Sequence, residues 1–505
     1  ESFLALFVGI TIGTVAGAIP GLSATMAVAL TLPFTFSMTP ITGILLLLGV
    51  YKGGIFGGSI PAILIKTPGT PASSATILDG YPLAEKGQAG KALGMALWAS
   101  CTADLISNLA LILFAGWLAS FALNFGPPEF FTLILFSLTI IAGVSGESLL
   151  RGALSAMFGL LLATIGLDLI YGTQRFTFEN PNMMGGLNFI AVLIGLFAIP
   201  EIIGMVWNPK ADEGKSRALG NNWVTFQEYR NSFRSIVRGS FIGVFLGSIP
   251  GIGAAPSAFL SYSEARRKSK NKENFGKGEL EGVAAAEAGN NGVAGATLIP
   301  LLALGVPGDV ITAIILGAFM VHGLQPGPMM FLINADIIYG LFIGLIVSSV
   351  FLFFIGSIAI RGFKYVADIP RSILFPSVMV LCVYGVFAVN NNLFDVGVMF
   401  VMGWIGFFMI QYKIPAAPFL IAFILGPLLE DNFRQSMLMS GSSVSILFRG
   451  PGTYLIGLGS VSSRICQMRY SKWLDMSWKT TRYRLIDKCI NKKPNFCFIN
   501  EEEGQ

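Results

Sequence analysis

Long apolar segments, separated by short polar loops, run through most of this 505-residue chain. A helix needs about 20 apolar residues to cross a bilayer. Several segments are shorter or are interrupted by Pro and Gly, so together they predict roughly ten to twelve crossings. Only 12% of the residues are charged, whereas a soluble domain carries about 25%. The sequence therefore predicts an all-α polytopic integral membrane protein in contact with a lipid bilayer.

The same features exclude other classes of protein. A transmembrane β-barrel has segments of about ten residues in which apolar and polar side chains alternate, and here the segments are apolar throughout. The net charge is +5 and the basic residues lie in loops, so we expect no nucleic-acid partner. With one histidine, His322, and five cysteines without a Cys-x-x-Cys spacing, we expect no catalytic residue, no metal site and no cofactor.

A pattern of Gly and Pro recurs in the two halves of the chain, which indicates an internal repeat. Residues 13–24 match residues 243–254, and both copies contain a Gly-x-x-x-Gly spacing followed by a Pro-Gly pair. The spacing predicts close helix packing. Further on, Ile60-Pro61 followed by Pro68-Gly69 recurs as Ile299-Pro300 followed by Pro307-Gly308. We therefore predict two pseudo-symmetric halves, with structural turns at Pro20, Gly21, Pro250 and Gly251.

Short loops rich in Lys and Arg indicate the cytoplasmic side of the membrane. Two such loops flank the apolar residues 239–263, so both ends of this segment lie on one side. We predict a re-entrant hairpin turning at Pro250-Gly251, which is tolerated at membrane depth where it is buried in protein or lines a wet cavity. The predicted organisation is a first transmembrane half (residues 1–207), a cytoplasmic linker (208–238), a second transmembrane half (239–449) and an atypical polar tail (450–505).

Each half also contains a Pro-Gly break inside an apolar run. Pro removes a backbone donor and Gly adopts strained backbone angles, so the helix cannot continue there. Matching broken helices in two halves are the best sequence indication of a transporter binding site, and the alternative is a kink or a surface loop. The residues of the two breaks predicted to bind substrate are Thr67, Pro68, Gly69, Thr70, Pro71, Gly305, Pro307 and Gly308.

The chemistry of the two breaks favours an anionic substrate and a small cation. Unpaired N–H groups at a helix start attract an anion, and Lys66 or Lys52 adds a full positive charge unless it reaches the membrane surface instead. Oxygen ligands that suit Na⁺ are offered by Asn290, Asn291, Asp309, Thr67 and Thr70. We expect the coupling ion there rather than on a proton relay at His322. Asp104 and Asn108, one helical turn apart, are predicted to hydrogen-bond between helices.

Several motifs combine into a family resemblance. The first half contains Gly17-x-Ile-Pro-Gly-Leu, Gly57-Gly58-Ser59-Ile60, Thr67-Pro68-Gly69-Thr70-Pro71-Ala72 and Asp79-Gly80-Tyr81-Pro82. The second half contains Ala285-Ala286-Glu287-Ala288-x-Asn290-Asn291 and Gly305-Val306-Pro307-Gly308. From about residue 9 to residue 449 the chain resembles the large membrane subunit of tripartite tricarboxylate transporters, the TctA family. It departs from the family at Lys66, where a neutral polar residue is more common, and in the polar tail.

The resemblance implies a multi-pass carrier of the bacterial inner membrane that moves tri- or dicarboxylates such as citrate by symport with Na⁺ or H⁺. It also implies two partners, a small membrane subunit (TctB type) and a periplasmic solute-binding protein (TctC type). The alternatives are a passive anion channel and an intramembrane lipid-modifying enzyme. The enzyme would require paired carboxylates, a Cys/His pair or an Asp-rich metal motif near one membrane face, and the sequence contains none of these.

Overall fold

A computed structural model of the chain describes residues 1–144, 148–168, 171–207, 223–367 and 371–448. The predicted tail and the first part of the predicted linker, residues 208–222, lie outside the described residues. The helices of the first half are α1 (Ser2–Ala18), α2 (Ala24–Thr31), α3 (Pro40–Gly57), α4 (Ser59–Ile65), α5 (Ser74–Glu85), α6 (Ala89–Ala122), α7 (Pro127–Val144), α8 (Leu149–Ala163) and α9 (Phe189–Trp207). Those of the second half are α10 (Phe226–Gly247), α11 (Ala254–Lys268), α12 (Leu280–Ala296), α13 (Leu298–Leu304), α14 (Val310–Val321), α15 (Met330–Ile333), α16 (Ala335–Ala367), α17 (Arg371–Asn390), α18 (Leu393–Gln411) and α19 (Ala416–Met439).

Short elements complete the fold. Strands β1 (Gly166–Leu167) and β2 (Gln174–Arg175) pair antiparallel between α8 and α9. The 3₁₀ helices are Leu32–Ser37, Pro181–Met183, Lys272–Asn274 and Val444–Phe448. The prediction of an all-α polytopic protein is therefore confirmed.

Six helical segments of the described residues are long and apolar enough to cross a membrane: Pro40–Ile65, Ala89–Ala122, Pro127–Val144, Ala335–Phe363, Leu393–Gln411 and Ala416–Met439. Shorter apolar helices accompany them: Ser2–Ala18, Ala24–Ser37, Leu149–Ala163, Phe189–Gly204, Val310–Val321 and Phe375–Asn390. Large apolar side chains such as Leu113, Trp117 and Ile358 are 70% exposed on the long outer helices. Side chains of this kind are stable at the surface when they face lipid rather than water.

The predicted repeat is visible in the order and packing of the helices. α1 to α5 correspond to α10 to α14, and α1 packs on α3 as α10 packs on α12. Gly243 shows why the Gly-x-x-x-Gly spacing is needed, because a Cβ there would lie 2.9 Å from the Cα of Gly292. Gly13 and Gly17 have the same role against α3. This confirms the predicted close packing at both copies.

The two halves run in opposite directions. α3 begins where α14 ends, since a Cβ on Gly43 would lie 2.9 Å from the Nε2 of His322. α12 begins where α5 ends, since the Nζ of Lys86 donates to the Lys277 carbonyl oxygen at 2.6 Å. The path from α3 to α5 therefore runs from one end of the protein to the other, and the path from α12 to α14 runs back. This is the arrangement of an inverted repeat.

The halves are also interlocked. α6 of the first half packs along α12, and α16 of the second half packs along α3. The same exchange occurs further along the chain, where α8 packs on α19 and α9 on α18. As a result α3 and α12 occupy the centre of the molecule, and almost all of their residues are buried.

The end at which α12 begins is the basic end of the protein. Lys91, at the start of α6, pairs with Glu228 of the first basic loop at 2.6 Å. Lys86, five residues earlier, binds the carbonyl oxygen of Lys277 in the second basic loop. The described parts of the two basic loops thus lie at the same end, as predicted. Between them α10 and α11 form a hairpin that turns at Pro250-Gly251. α10 begins at Phe226, inside the predicted linker, because Thr225 and Glu228 form a capping box.

Candidate functional site

The first break separates α4 from α5. Lys66 follows α4 and adopts a left-handed backbone conformation with φ of 63°. The N–H of Thr67 donates to the carbonyl oxygen of Pro61 at 3.3 Å, so the chain folds back onto the last turn of α4. The hydroxyl groups of Thr70 and Ser73 lie 2.7 Å apart just before α5 begins. The break that the sequence predicts here is confirmed.

The second break repeats this geometry between α13 and α14. Gly305 is left-handed with φ of 72°, and the N–H of Val306 donates to the Pro300 carbonyl oxygen at 3.2 Å. Asp309 caps α14, and its carboxylate accepts the N–H of Thr312 at 2.8 Å. The predicted second break is therefore confirmed as well, and both breaks end one helix and begin another.

Lys66 and Gly305 occupy equivalent positions in the two halves. A left-handed conformation costs a residue other than glycine roughly 1–2 kcal/mol, so the backbone at this position favours glycine. The Nζ of Lys66 lies 5.4 Å from the centre of the Tyr81 ring, a contact worth about 0.5–1 kcal/mol at an exposed site. The first half thus carries an accessible lysine at a strained position, and strained positions of this kind are frequent at functional sites.

The two breaks differ in exposure. Lys66, Pro68 and Pro71 are exposed in the first half, whereas Gly305, Val306, Pro307 and Gly308 are all buried in the second. Gly308 is held by its carbonyl oxygen, which accepts the N–H of Gly251 at 2.7 Å. Equivalent elements of the repeat therefore have different access to the surface.

Asp309 of the second break is bound by the first half. The hydroxyl of Tyr51, on α3, donates to Oδ2 of Asp309 at 2.9 Å. The same hydroxyl lies 3.4 Å from Oγ1 of Thr297 at the end of α12. Tyr51 is only 1% exposed, so this contact holds the start of α14 against the centre of the protein.

Glu287 makes the reciprocal connection from the second half to the first break. Its Oε1 accepts the hydroxyl of Ser59 at 2.6 Å and that of Thr76, while Oε2 accepts the hydroxyl of Ser100 at 3.1 Å. The amide of Asn291 donates to Oε2 at 3.3 Å. Glu287 was not among the predicted site residues. The signal that could have identified it is a carboxylate inside an apolar segment, one turn before the predicted ligand Asn291.

Lys52 forms a third polar cluster. Its Nζ lies 2.8 Å from Oδ1 of Asp104 and donates to Oδ1 of Asn108 at 2.8 Å, and both charged side chains are 1% exposed. Asn108 also donates to the Leu345 carbonyl oxygen at 2.8 Å, and Ser349 donates to Asp104 at 2.6 Å. The predicted inter-helix bonds of Asp104 and Asn108 are confirmed. Lys52 pairs inside the protein instead of reaching the surface.

The predicted ion ligands are distributed over these clusters. Asn291 belongs to the Glu287 cluster and Asp309 to the Tyr51 cluster, while Thr70 lies beside Ser73. Thr67 directs its hydroxyl to the Ile65 carbonyl oxygen at 3.4 Å. Asn290 is different, because it is 1% exposed and neither polar atom of its side chain has a hydrogen-bond partner within the described residues.

Other features of the described residues lie away from the breaks. A cavity of about 520 Å³ lies between α8, α9, α14 and α19, with Arg175 and Glu430 at its polar side. It includes none of the predicted site residues. His322 lies 3.3 Å from the Thr35 hydroxyl. Within the part of the chain that the structure describes, no group of three or more His, Cys, Asp and Glu side chains could hold a metal ion.

An all-α membrane protein built from two inverted halves, each with a broken helix facing the other half, has the architecture of a secondary transporter subunit. A family comparison agrees with this class. The model of the tripartite tricarboxylate transporter TctA family matches residues 3–421. The chain belongs to this family of transporter subunits, as the sequence motifs indicated, and family membership implies a system with further components.

Two similar proteins come from Agrobacterium vitis. One is described as an uncharacterised 52.8 kDa protein in the TAR-I ttuC′ 3′ region, and it is 36% identical over 445 residues, covering 88% of this chain and 89% of that protein. The other is described as an uncharacterised protein in the TAR-II ttuC′ 3′ region, and it is 36% identical over 220 residues, covering 43% of this chain and 91% of that protein. No solved structure matches this chain.

Proposed function

We propose that this chain is the large membrane subunit of an ion-gradient-driven carrier for tri- or dicarboxylates such as citrate. The observation that carries the proposal is the inverted pair of broken helices, each bound to the central helix of the other half. It works in the bacterial inner membrane with a small membrane subunit and a periplasmic solute-binding protein, as the family implies. The ion gradient is one of Na⁺ or H⁺.

The substrate's negative charge is balanced at the breaks. The helix starts after Gly69 and Gly308 offer about half a positive charge each, which is less than a di- or tricarboxylate requires. Because Lys52 already pairs with Asp104, we assign the additional cation of the protein to Lys66. Its exposed position at the first break supports this assignment.

The unequal exposure of the two breaks supports a carrier rather than a channel. A carrier with inverted repeats opens its central site to one side at a time, so the equivalent elements of its halves differ in access. Pro68 and Pro71 of the first break are exposed, whereas Pro307 of the second break is buried. This difference is expected of a state that is open to one side.

Reconstitution tests the proposal. The chain is incorporated into liposomes with its small membrane subunit, the binding protein is added outside, and uptake of radiolabelled citrate and other carboxylates is measured. We expect uptake against the carboxylate gradient when a Na⁺ or pH gradient is imposed, and its loss when an ionophore collapses that gradient. Flux that runs only downhill would indicate a channel, and the absence of any carboxylate flux would contradict the proposed substrate class.

A further inference from the structure

Glu287 is a carboxylate with no cation beside it in the part of the chain that the structure describes. It lies within α12 and is fully buried. Among the described residues, no Lys, Arg or His forms an ion pair with it. A buried ionised carboxylate without a positive partner is strongly destabilising. The site is therefore built for a positive charge that does not come from a described side chain.

The groups around Glu287 are suited to a small cation. Ser59 and Thr76 donate to Oε1 from either side of the first break. A hydroxyl oxygen keeps lone pairs after it has donated its proton, so both oxygens can coordinate a cation while they still contact Glu287. Carboxylate and hydroxyl oxygens are hard ligands, which suit an alkali metal ion.

Asn290 provides a second, independent observation. It lies three residues after Glu287 on α12, which places both residues on neighbouring parts of the same helix face. Its side chain is 1% exposed and has no hydrogen-bond partner among the residues that the structure describes, although a buried amide is normally paired.

The repeat relates Asn290 to a residue whose contacts are known. Its equivalent in the first half is Tyr51, whose hydroxyl reaches Asp309 at the start of α14. In the repeat the equivalent of Asp309 is Thr70, whose hydroxyl lies 2.7 Å from that of Ser73, and Ser73 in turn lies 3.5 Å from the Ser59 hydroxyl that binds Glu287. Asparagine is much shorter than tyrosine, and its amide, unlike the Tyr51 hydroxyl, makes no hydrogen bond to the other half among the described residues.

We propose that the co-transported Na⁺ binds to the Glu287 carboxylate, together with hydroxyl oxygens of the first break and the amide oxygen of Asn290. The inference rests on the proposed function, since it names the coupling ion of that carrier. One carboxylate balances one positive charge, whereas Ca²⁺ requires six to eight oxygen ligands, several of them carboxylates. Na⁺ at Glu287 also removes a negative charge that repels an anionic substrate at the first break, so each ligand raises the affinity for the other.

Direct binding of the ion tests the site without any carboxylate. Radioactive ²²Na⁺ is bound to the purified full-length chain in detergent, with K⁺ keeping the ionic strength constant. We expect saturable binding to the wild type and an apparent affinity at least about tenfold lower in Glu287→Gln, which keeps the shape and removes the charge. The matched control is Asp395→Asn, another carboxylate that is 5% exposed and is bound by Asn188 and Asn390, and its affinity should stay within about twofold of the wild type.

A second variant covers the case in which Glu287→Gln does not fold. Ser59→Ala removes one hydroxyl ligand and should weaken Na⁺ binding several-fold. The proposal is overturned if the wild type does not prefer Na⁺ to K⁺, or if the variants that fold bind Na⁺ like the wild type. It is also overturned if adding substrate to a weakly buffered sample causes proton uptake that depends on Glu287, because H⁺ is then the coupling ion.

The results separate this site from the proposed function. If Na⁺ binds through Glu287 but the reconstituted system moves no carboxylate, the ion site stands and the substrate class fails. If uptake of citrate is driven by a gradient and is unchanged in Glu287→Gln, the carrier stands and the ion site fails.

Discussion

Tyr51 and Asn290 occupy equivalent positions on the two central helices, but only Tyr51 has a hydrogen-bond partner among the described residues. The Tyr51 hydroxyl donates to Asp309 at 2.9 Å and so connects α3 to the start of α14. The two halves are thus similar in backbone and different in chemistry. The second break is hydrogen-bonded to a phenol of the other half, whereas the amide at the equivalent position of α12 makes no hydrogen bond among the described residues.

Loss of the Tyr51 hydroxyl should destabilise the second break. In Tyr51→Phe the buried Asp309 loses a donor, and we expect the free energy of unfolding to fall by about 1–3 kcal/mol. It can be measured by SDS titration in mixed micelles. Tyr412→Phe is the control, since Tyr412 is 68% exposed and its change should be within about 0.5 kcal/mol. Equal effects of the two variants would show that the Tyr51–Asp309 bond contributes nothing.

The Lys52–Asp104 pair should be costly to break on one side only. Lys52→Met leaves Asp104 buried without a cation, and we expect a loss of about 3–5 kcal/mol in the free energy of unfolding. The double variant Lys52→Met/Asp104→Leu removes both charges and should recover most of that loss. The comparison pair is Lys91–Glu228, whose side chains are 23% and 26% exposed, so Lys91→Met should cost at most about 1 kcal/mol. A double variant as unstable as Lys52→Met would contradict this account.

The repeat and its breaks could be predicted from the sequence because they depend on local backbone chemistry. Pro at positions 68 and 307 cannot continue a helix, and Gly at 69 and 308 accompanies it in both halves. The direction of the second half could not be predicted, since it depends on how many segments cross the membrane in between. The packing of the helices decides that number. The opposite direction of the second half is revealed by the contact between Gly43, at the start of α3, and His322, at the end of α14.

The hydrogen-bond and ion-pair partners of the buried polar side chains could not be predicted from the sequence either. Lys52 was a candidate for the substrate because its neighbours in sequence are apolar, but its partner Asp104 lies 52 residues away on α6. The role of Glu287 is hidden in the sequence for a similar reason, because Ser59 and Thr76, which bind it, come from the other half of the chain. Sequence shows that a charge is buried in an apolar segment, and only the fold shows what neutralises it.

Close packing of α10 on α12 should make Gly243 intolerant of a side chain. A Cβ at Gly243 would lie 2.9 Å from both Gly289 and Gly292, so Gly243→Ala should cost about 1–3 kcal/mol of stability through overpacking. Gly116 of α6 has open space around it, and Gly116→Ala should raise stability by about 0.5–1 kcal/mol through helix propensity. Thermal unfolding of the two purified variants compares their stabilities. If Gly243→Ala is as stable as the wild type, α10 and α12 can move apart to accommodate the methyl group.

Exposure of the two breaks should be visible by chemical labelling. In a chain whose five cysteines are replaced by Ser, Pro71→Cys should react quickly with a polar maleimide and Pro307→Cys slowly, since Pro71 is exposed and Pro307 is buried. Carboxylate with the coupling ion should slow the reaction at position 71, because a bound substrate covers the first break. Equal rates at both positions, with and without substrate, would contradict a state open to one side.

The charge and the backbone conformation of Lys66 can be separated by two substitutions. Lys66→Gln removes the positive charge at the first break, and we expect the apparent KM for the carboxylate to rise tenfold or more, since 1.4 kcal/mol of lost binding corresponds to tenfold. Lys66→Gly removes the charge too, but it fits the left-handed conformation that Gly305 adopts in the other half. The glycine variant should therefore be at least as stable as the wild type in thermal unfolding and still show the raised KM. Lys66→Arg keeps the charge, and incomplete recovery of KM would indicate that the compact ammonium group is required. If Lys66→Gln and Lys66→Gly both transport with the KM of the wild type, Lys66 does not bind the substrate, and Na⁺ and the helix starts must balance its charge.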